Sequence, residues 1–169
     1  SMSEYRGYFI GCGIVVAVFL GIAVFLFPLF VRAPLTDGHN RSCLTNIKMI
    51  ATAHWIYAAD NDDRFPLCTK WMDLTFNYFK DESRLHCPDL DPIKTNRYGY
   101  AMNISLSSAN ENQLANPDQA VLLFDSVILD RNACSNLVGL PNPPRHNGNS
   151  IAFADSHAAR TDLWSKNDQ

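Results

Sequence analysis

The stretch Arg41-Ser-Cys-Leu-Thr-Asn-Ile-Lys-Met-Ile-Ala-Thr-Ala-His-Trp-Ile-Tyr-Ala-Ala-Asp60 decides the fold. Leu44, Ile47, Ile50, Ala51, His54, Tyr57 and Ala58 recur in steps of three and four, so they line one face of an α-helix, and that face must pack on something. Asn40 or Ser42 can cap its start, and Asp60-Asn61-Asp62-Asp63 with Pro66 ends it. Downstream, a shorter helix is expected over residues 70–79, then a turn-rich stretch from Cys87-Pro88 to Pro92. Residues 97–103 and 120–124 carry the aromatic and β-branched side chains of strands, and 150–154 with 157–163 reads as a hairpin turning at Asp155-Ser156. A helix face plus a small antiparallel sheet makes an α+β domain. Between the strands, 130–144 holds Gly139 and three prolines and reads as a surface loop pinned by Cys134.

Upstream, residues 8–31 contain no charge, and these 24 residues suffice as a helix for the ~30 Å hydrocarbon core of a bilayer. An N-terminal transmembrane helix is therefore expected, closed by Arg32 and Pro34. Gly13, Ala17 and Gly21 recur every fourth position and offer a flat face to a neighbouring helix. The expected organisation is a tail and membrane helix over 1–32, a linker over 33–40, one soluble domain over 41–164 and a tail over 165–169. Arg32, Arg41 and Lys48 after the span favour a cytoplasmic domain. Four cysteines in the domain, Cys43, Cys68, Cys87 and Cys134, lack zinc-type spacing and favour two disulfides in an oxidising compartment, with four buried thiols as the other reading.

The net charge of −3 and the scattered Lys and Arg leave no basic footprint for nucleic acid. No Gly-x-Ser-x-Gly elbow, His-Glu-x-x-His helix or phosphate-cradling loop occurs, so no catalytic residue and no cofactor are assigned. His146, Asp155 and His157 are the donor types of a divalent metal site, against the simpler reading that Asp155 caps a turn. Asp60 and Asp62, with their neighbours, offer hard oxygens of the kind calcium takes but lack the Gly and distal Glu of an EF-hand loop, so a solvated helix end is the preferred reading.

Further motifs extend over nearly the whole domain: Arg41-Ser-Cys-Leu-Thr-Asn-Ile-Lys48, Tyr57-Ala-Ala-Asp-Asn-Asp-Asp-Arg-Phe-Pro66, Trp71, Leu85-His-Cys-Pro88, Tyr98-Gly-Tyr100, Arg145-His-Asn-Gly148 and Phe153-Ala-Asp-Ser-His157. In this order, after an apolar run, they resemble bacterial pseudopilin-like proteins, the type IV pilin and type II secretion relatives with a C-terminal His and Asp-Gly-His signature. The resemblance implies a pilin-like fold, a helix laid on an antiparallel sheet. It also implies that Cys43 pairs with Cys87, both inside the shared motifs, leaving Cys68 for Cys134. The chain departs from the family at Arg6-Gly7 and Tyr8-Phe-Ile-Gly-Cys12, where the family's Phe-Thr-Leu-Ile-Glu is missing, and at Asp155-Ser156 in place of Asp-Gly. These departures point away from polymerisation by the usual route. The expectation is a non-catalytic, single-span subunit of the bacterial inner membrane, its domain periplasmic, that assembles or stabilises a membrane complex. Its expected partners are the membrane and other transmembrane and extracytoplasmic subunits, with no nucleic acid. A secretion or pilus filament subunit is the alternative, and an extracytoplasmic enzyme a weaker one.

Overall fold

The computed structural model describes residues 18–20, 22, 38–90, 97–145 and 147–161. The chain divides into two compact units, Ser1–Asp37 and Gly38–Gln169. Of the first, Val18, Phe19, Leu20 and Ile22 are described, helical and exposed.

The second unit is built on helix α1, Gly38–Asp60, which begins three residues before the expected start, so that Gly38, His39 and Asn40 are helical. Its buried stripe is Cys43, Asn46, Ile47, Ile50, Ala51, His54 and Ala58, with Leu44 and Tyr57 half-buried at its margins. Burying each large aliphatic side chain of this row contributes about 1.5–3 kcal/mol. Helix α2, Trp71–Phe79, lies against α1 and buries Trp71, Met72 and Thr75.

Five strands among the described residues form one sheet: β1 Tyr100–Asn103, β2 Val121–Asp125, β3 Cys134–Ser135, β4 Asn149–Phe153 and β5 Ala158–Thr161, in the order β3-β1-β2-β4-β5. All neighbours are antiparallel except β1 and β3, which run parallel with Met102 opposite Cys134. The expected sheet therefore gains a short parallel edge strand, inside the stretch read as a loop. Register is interrupted between Val121 and Leu123, where one extra residue lets both Leu122 and Leu123 join the helix-side core. The sheet is covered on both faces. Helix α1 packs on β2, β4 and β5, while Ile128, Ala133, Leu137 and Leu140, from the segment after β2, close over Ala101, Phe124 and Ile151 on the other face. Burial on both sides explains why β2 reads Val-Leu-Leu-Phe without alternation.

The expected N-terminal transmembrane helix needs correction: no helix among the described residues is long and apolar enough to cross a membrane. Helix α1 has the length, 23 residues, but carries His39, Arg41, Lys48 and His54 and commits one face to the sheet. Helix α2 has only nine residues, about 14 Å of rise against a ~30 Å core. Most of the apolar run at 8–31, including Gly13, Ala17 and Gly21, lies outside the described residues.

Candidate functional site

A polar residue interrupts the apolar stripe of α1 one turn after Cys43. Asn46 is 5 % exposed. Its Nδ2 donates to the His86 carbonyl and to the Tyr100 hydroxyl, each at 3.4 Å, and its Oδ1 accepts from Arg84 Nη1 at 3.1 Å. One amide thereby ties α1 to the turn at Glu82–Leu85 and to β1.

Beside it, the sulfurs of Cys43 and Cys87 lie 2.9 Å apart as thiols, both buried. Cys87 reaches this place because its backbone N–H donates to the Tyr98 carbonyl at 2.8 Å, which lays the Cys87-Pro88 turn along the start of β1. Gly99 makes the approach possible. At φ +86° it occupies the left-handed region, and a Cβ there would stand 2.6 Å from Leu90 Cδ1, 2.9 Å from Arg145 Nη1 and 3.0 Å from Cys87 Cβ. Arg145 holds the same corner from the far side, donating to the Gly99 carbonyl at 3.1 Å and to the Ser126 carbonyl. The hydrogen bond with Cys87, and then burial, push the Cys43 thiol far above its ordinary range. Burial, then the charges of the two cysteines, does the same to the Tyr100 hydroxyl. Asp125, opposite Tyr100 in the sheet, is buried and accepts the Ser150 N–H at 2.6 Å. The Cys43 thiol and the Tyr100 phenol are therefore held neutral beside Cys87, walled by hydrogen bonds.

The other pair is bonded. Cys68 and Cys134, 66 residues apart, form a disulfide that joins the short turn before α2 to β3. Closing a loop of that length stabilises the fold by about 2–4 kcal/mol. Of the two pairings the resemblance implies, this one is closed and Cys43 with Cys87 is in contact without a bond.

Asp155 and His157 meet at the tip of the β4–β5 hairpin. Asp155 Oδ1 accepts the His157 N–H at 3.0 Å and lies 2.5 Å from His157 Nδ1, while the imidazole stacks on Phe153 at 4.1 Å. This is the turn-closing role, with Ser156 at φ 69° completing the bend. His146 lies outside the described residues. Asp60 accepts from the Tyr78 hydroxyl at 3.1 Å, and Asp62, at φ 55°, turns its carbonyl to Asn110 Nδ2 at 3.3 Å. Among the described residues no three His, Cys, Asp or Glu side chains converge as a metal site.

A second feature is the outward side of α1. Met49 and Ile56, 40 % and 46 % exposed, stand in one row with Thr52 between them, and Trp55, also half-exposed, donates its Nε1 to the Ala154 carbonyl at 2.6 Å. Lys48 supplies the one charge on this side between residues 43 and 59.

Reading the sequence by helical period assigns neither Asn46 nor Tyr100 to a site. The signal was there: Asn46 falls within the apolar stripe, and a side-chain amide among buried aliphatics requires partners. Comparison of the chain with protein-family models, with curated proteins and with solved structures finds no match.

Proposed function

We propose that this chain is a non-catalytic, pseudopilin-like subunit that works in the assembly or stabilisation of a membrane complex from the extracytoplasmic side. The observation that carries the reading is the outward row of α1: a helix that already buries one face on its own sheet keeps Met49, Trp55 and Ile56 at the surface of the other. An exposed helix side that carries Met49, Trp55 and Ile56, with Thr52 and the single charge of Lys48 among them, fits an apolar helix of a neighbouring subunit. The Cys68–Cys134 disulfide supports an oxidising compartment. The motif residues of the pseudopilin resemblance serve the same reading, since Cys87, Gly99 and Asp155 all act in building the domain.

The test is isolation from native cells in mild detergent with mass spectrometry of what co-migrates. Defined stoichiometry with unrelated subunits is expected. Met49→Glu combined with Ile56→Glu should lower the recovered partner at least about tenfold, the loss of ~1.4 kcal/mol of binding, while the far-ultraviolet spectrum and the disulfide persist. A ladder of identical subunits would indicate a filament instead. A lone monomer, or a partner retained by the double variant, would sink the proposal.

A further inference from the structure

We propose that Cys43 and Cys87 are a reversible dithiol–disulfide couple that fastens and releases the start of α1 independently of the Cys68–Cys134 bridge. The argument rests on position. The two sulfurs are 2.9 Å apart, inside the contact distance of unbonded sulfurs, and come from segments 44 residues apart that meet nowhere else through sulfur. Both are held there by backbone that a small approach does not disturb: Cys43 by the helix, Cys87 by its hydrogen bond to Tyr98 and the close seat that Gly99 provides.

The location gives the couple its consequence. Cys43 is the first member of the buried stripe among the residues whose side chains are described, and it lies in the second turn of α1. As a dithiol, the pair leaves this end attached through packing and the hydrogen bonds of Asn46. As a disulfide it would tie the same point to the turn that Leu90 closes by donating its N–H to the Cys87 carbonyl at 3.0 Å. Cys68–Cys134 joins the turn before α2 to β3, so the two bonds act on different elements.

The co-reactant is a disulfide, either a small molecule such as oxidised glutathione or a thiol–disulfide oxidoreductase. One cysteine, as its thiolate, attacks a sulfur of the oxidant and expels one thiolate, leaving a mixed disulfide on the protein. The second cysteine then displaces the remaining thiol, and both protons end on the two released thiols. Two electrons leave the protein and one S–S bond forms as one breaks. With both sulfurs buried, exchange proceeds through opening of the Cys87–Leu90 turn.

The full-length chain is equilibrated in glutathione buffers of graded potential, quenched in acid, differentially alkylated and digested, so that each cysteine, Cys12 included, is read in its own peptide. Expected is a Cys43–Cys87 cross-linked peptide whose abundance relative to dithiol rises tenfold for each tenfold rise in the ratio of oxidised glutathione to reduced glutathione squared. Cys68–Cys134 should stay oxidised throughout. Oxidation should slow amide exchange at residues 43–50 at least about tenfold, and Cys87→Ala and Cys43→Ala should each abolish that slowing. The proposal is overturned if the cross-linked peptide is absent at every potential, if it appears only with scrambled Cys68 or Cys134, if both bridges titrate as one, or if the slowing persists in a folded Ala variant. Should a variant fail to fold, the titration of the unaltered chain decides.

Discussion

The two faces of the sheet are buried by different means. On one face, α1 and α2 supply regular surfaces, and the core there includes Trp71, Tyr100, Met102 and Leu123 as well as the helix stripe. On the other, an irregular segment lays Ala133 and Leu140 over Ala101, Phe124 and Ile151, a far smaller cluster. A helix brings its own backbone hydrogen bonds, so its contribution to burial carries no polar debt. An irregular cover must satisfy its backbone elsewhere, and this one does so through Val127 N–H to the Gly139 carbonyl at 2.9 Å and Met102 N–H to the Ala133 carbonyl at 3.0 Å. The helix side should therefore hold the global stability, and the loop side should open locally.

The largest effect expected is at Trp71, fully buried, with Nε1 donating to the Ala133 carbonyl at 2.9 Å. Trp71→Ala should cost about 3–5 kcal/mol through the cavity and the lost indole hydrogen bond, read as a lowered urea midpoint for the whole domain. If only local hydrogen exchange changes, the helix side is not the main store of stability.

Acid probes the same side. His54 is completely buried against Trp71, its Nδ1 bound to the Ile50 carbonyl at 2.9 Å, and burial lowers its pKa from 6.5 to about 4. The unfolded chain therefore takes up a proton at His54 before the folded one does, so the stability is complete above pH 6.5 and is lost as pH falls from there through about 4, by about 3 kcal/mol in all. His54→Gln should flatten that slope. Asp73, held low by Arg131 and Asn132, acts toward the acid end of this range, while Glu111, raised by burial, takes up its proton first in the folded chain and offsets a small part of the loss.

On the loop side, Leu140→Ala should cost about 2 kcal/mol, the low end for such a truncation, because an irregular cover can collapse onto the gap. Its signature is faster hydrogen exchange confined to residues 126–140. A loss equal to that of Trp71→Ala would erase the distinction between the faces. The smallest effect is at Asn132, whose Oδ1 accepts the Met72 N–H at 2.7 Å and caps α2 from the loop. Asn132→Ala should cost about 1 kcal/mol, visible as fraying of the first turn of α2.

The same contrast governs what could be read from residues alone. The stripe of α1 was legible because Ile47, Ile50, Ala51, His54 and Ala58 repeat with the helix, and β2 because Val121 to Phe124 is one apolar run. Strand β3 was not: two residues, Cys134 and Ser135, carry no period, and their pairing with Met102 and Asn103 is dictated by the sheet edge they meet. The cap of α2 was illegible for a similar reason, since Lys70 precedes the helix without a capping side chain and the acceptor arrives from 60 residues away. At the thiol cluster, the cysteines were visible but their company was not. That Asn46 and Tyr100 stand with Cys43 depends on how α1 crosses the sheet, which no local pattern encodes.

The cap on α2 also bears on how the chain is made. A nine-residue helix is too short to persist by itself in water. Its acceptor, Asn132, lies 60 residues downstream of Met72. At a translation speed of about 5–20 residues per second, the ribosome needs roughly 3–12 s to deliver that acceptor after Met72 is joined to the chain. Throughout that interval the nascent segment around Trp71 and Met72 lacks its cap, and until β1 and β2 follow it has no sheet strand to pack on, so its aromatic surface is open to whatever handles emerging chains.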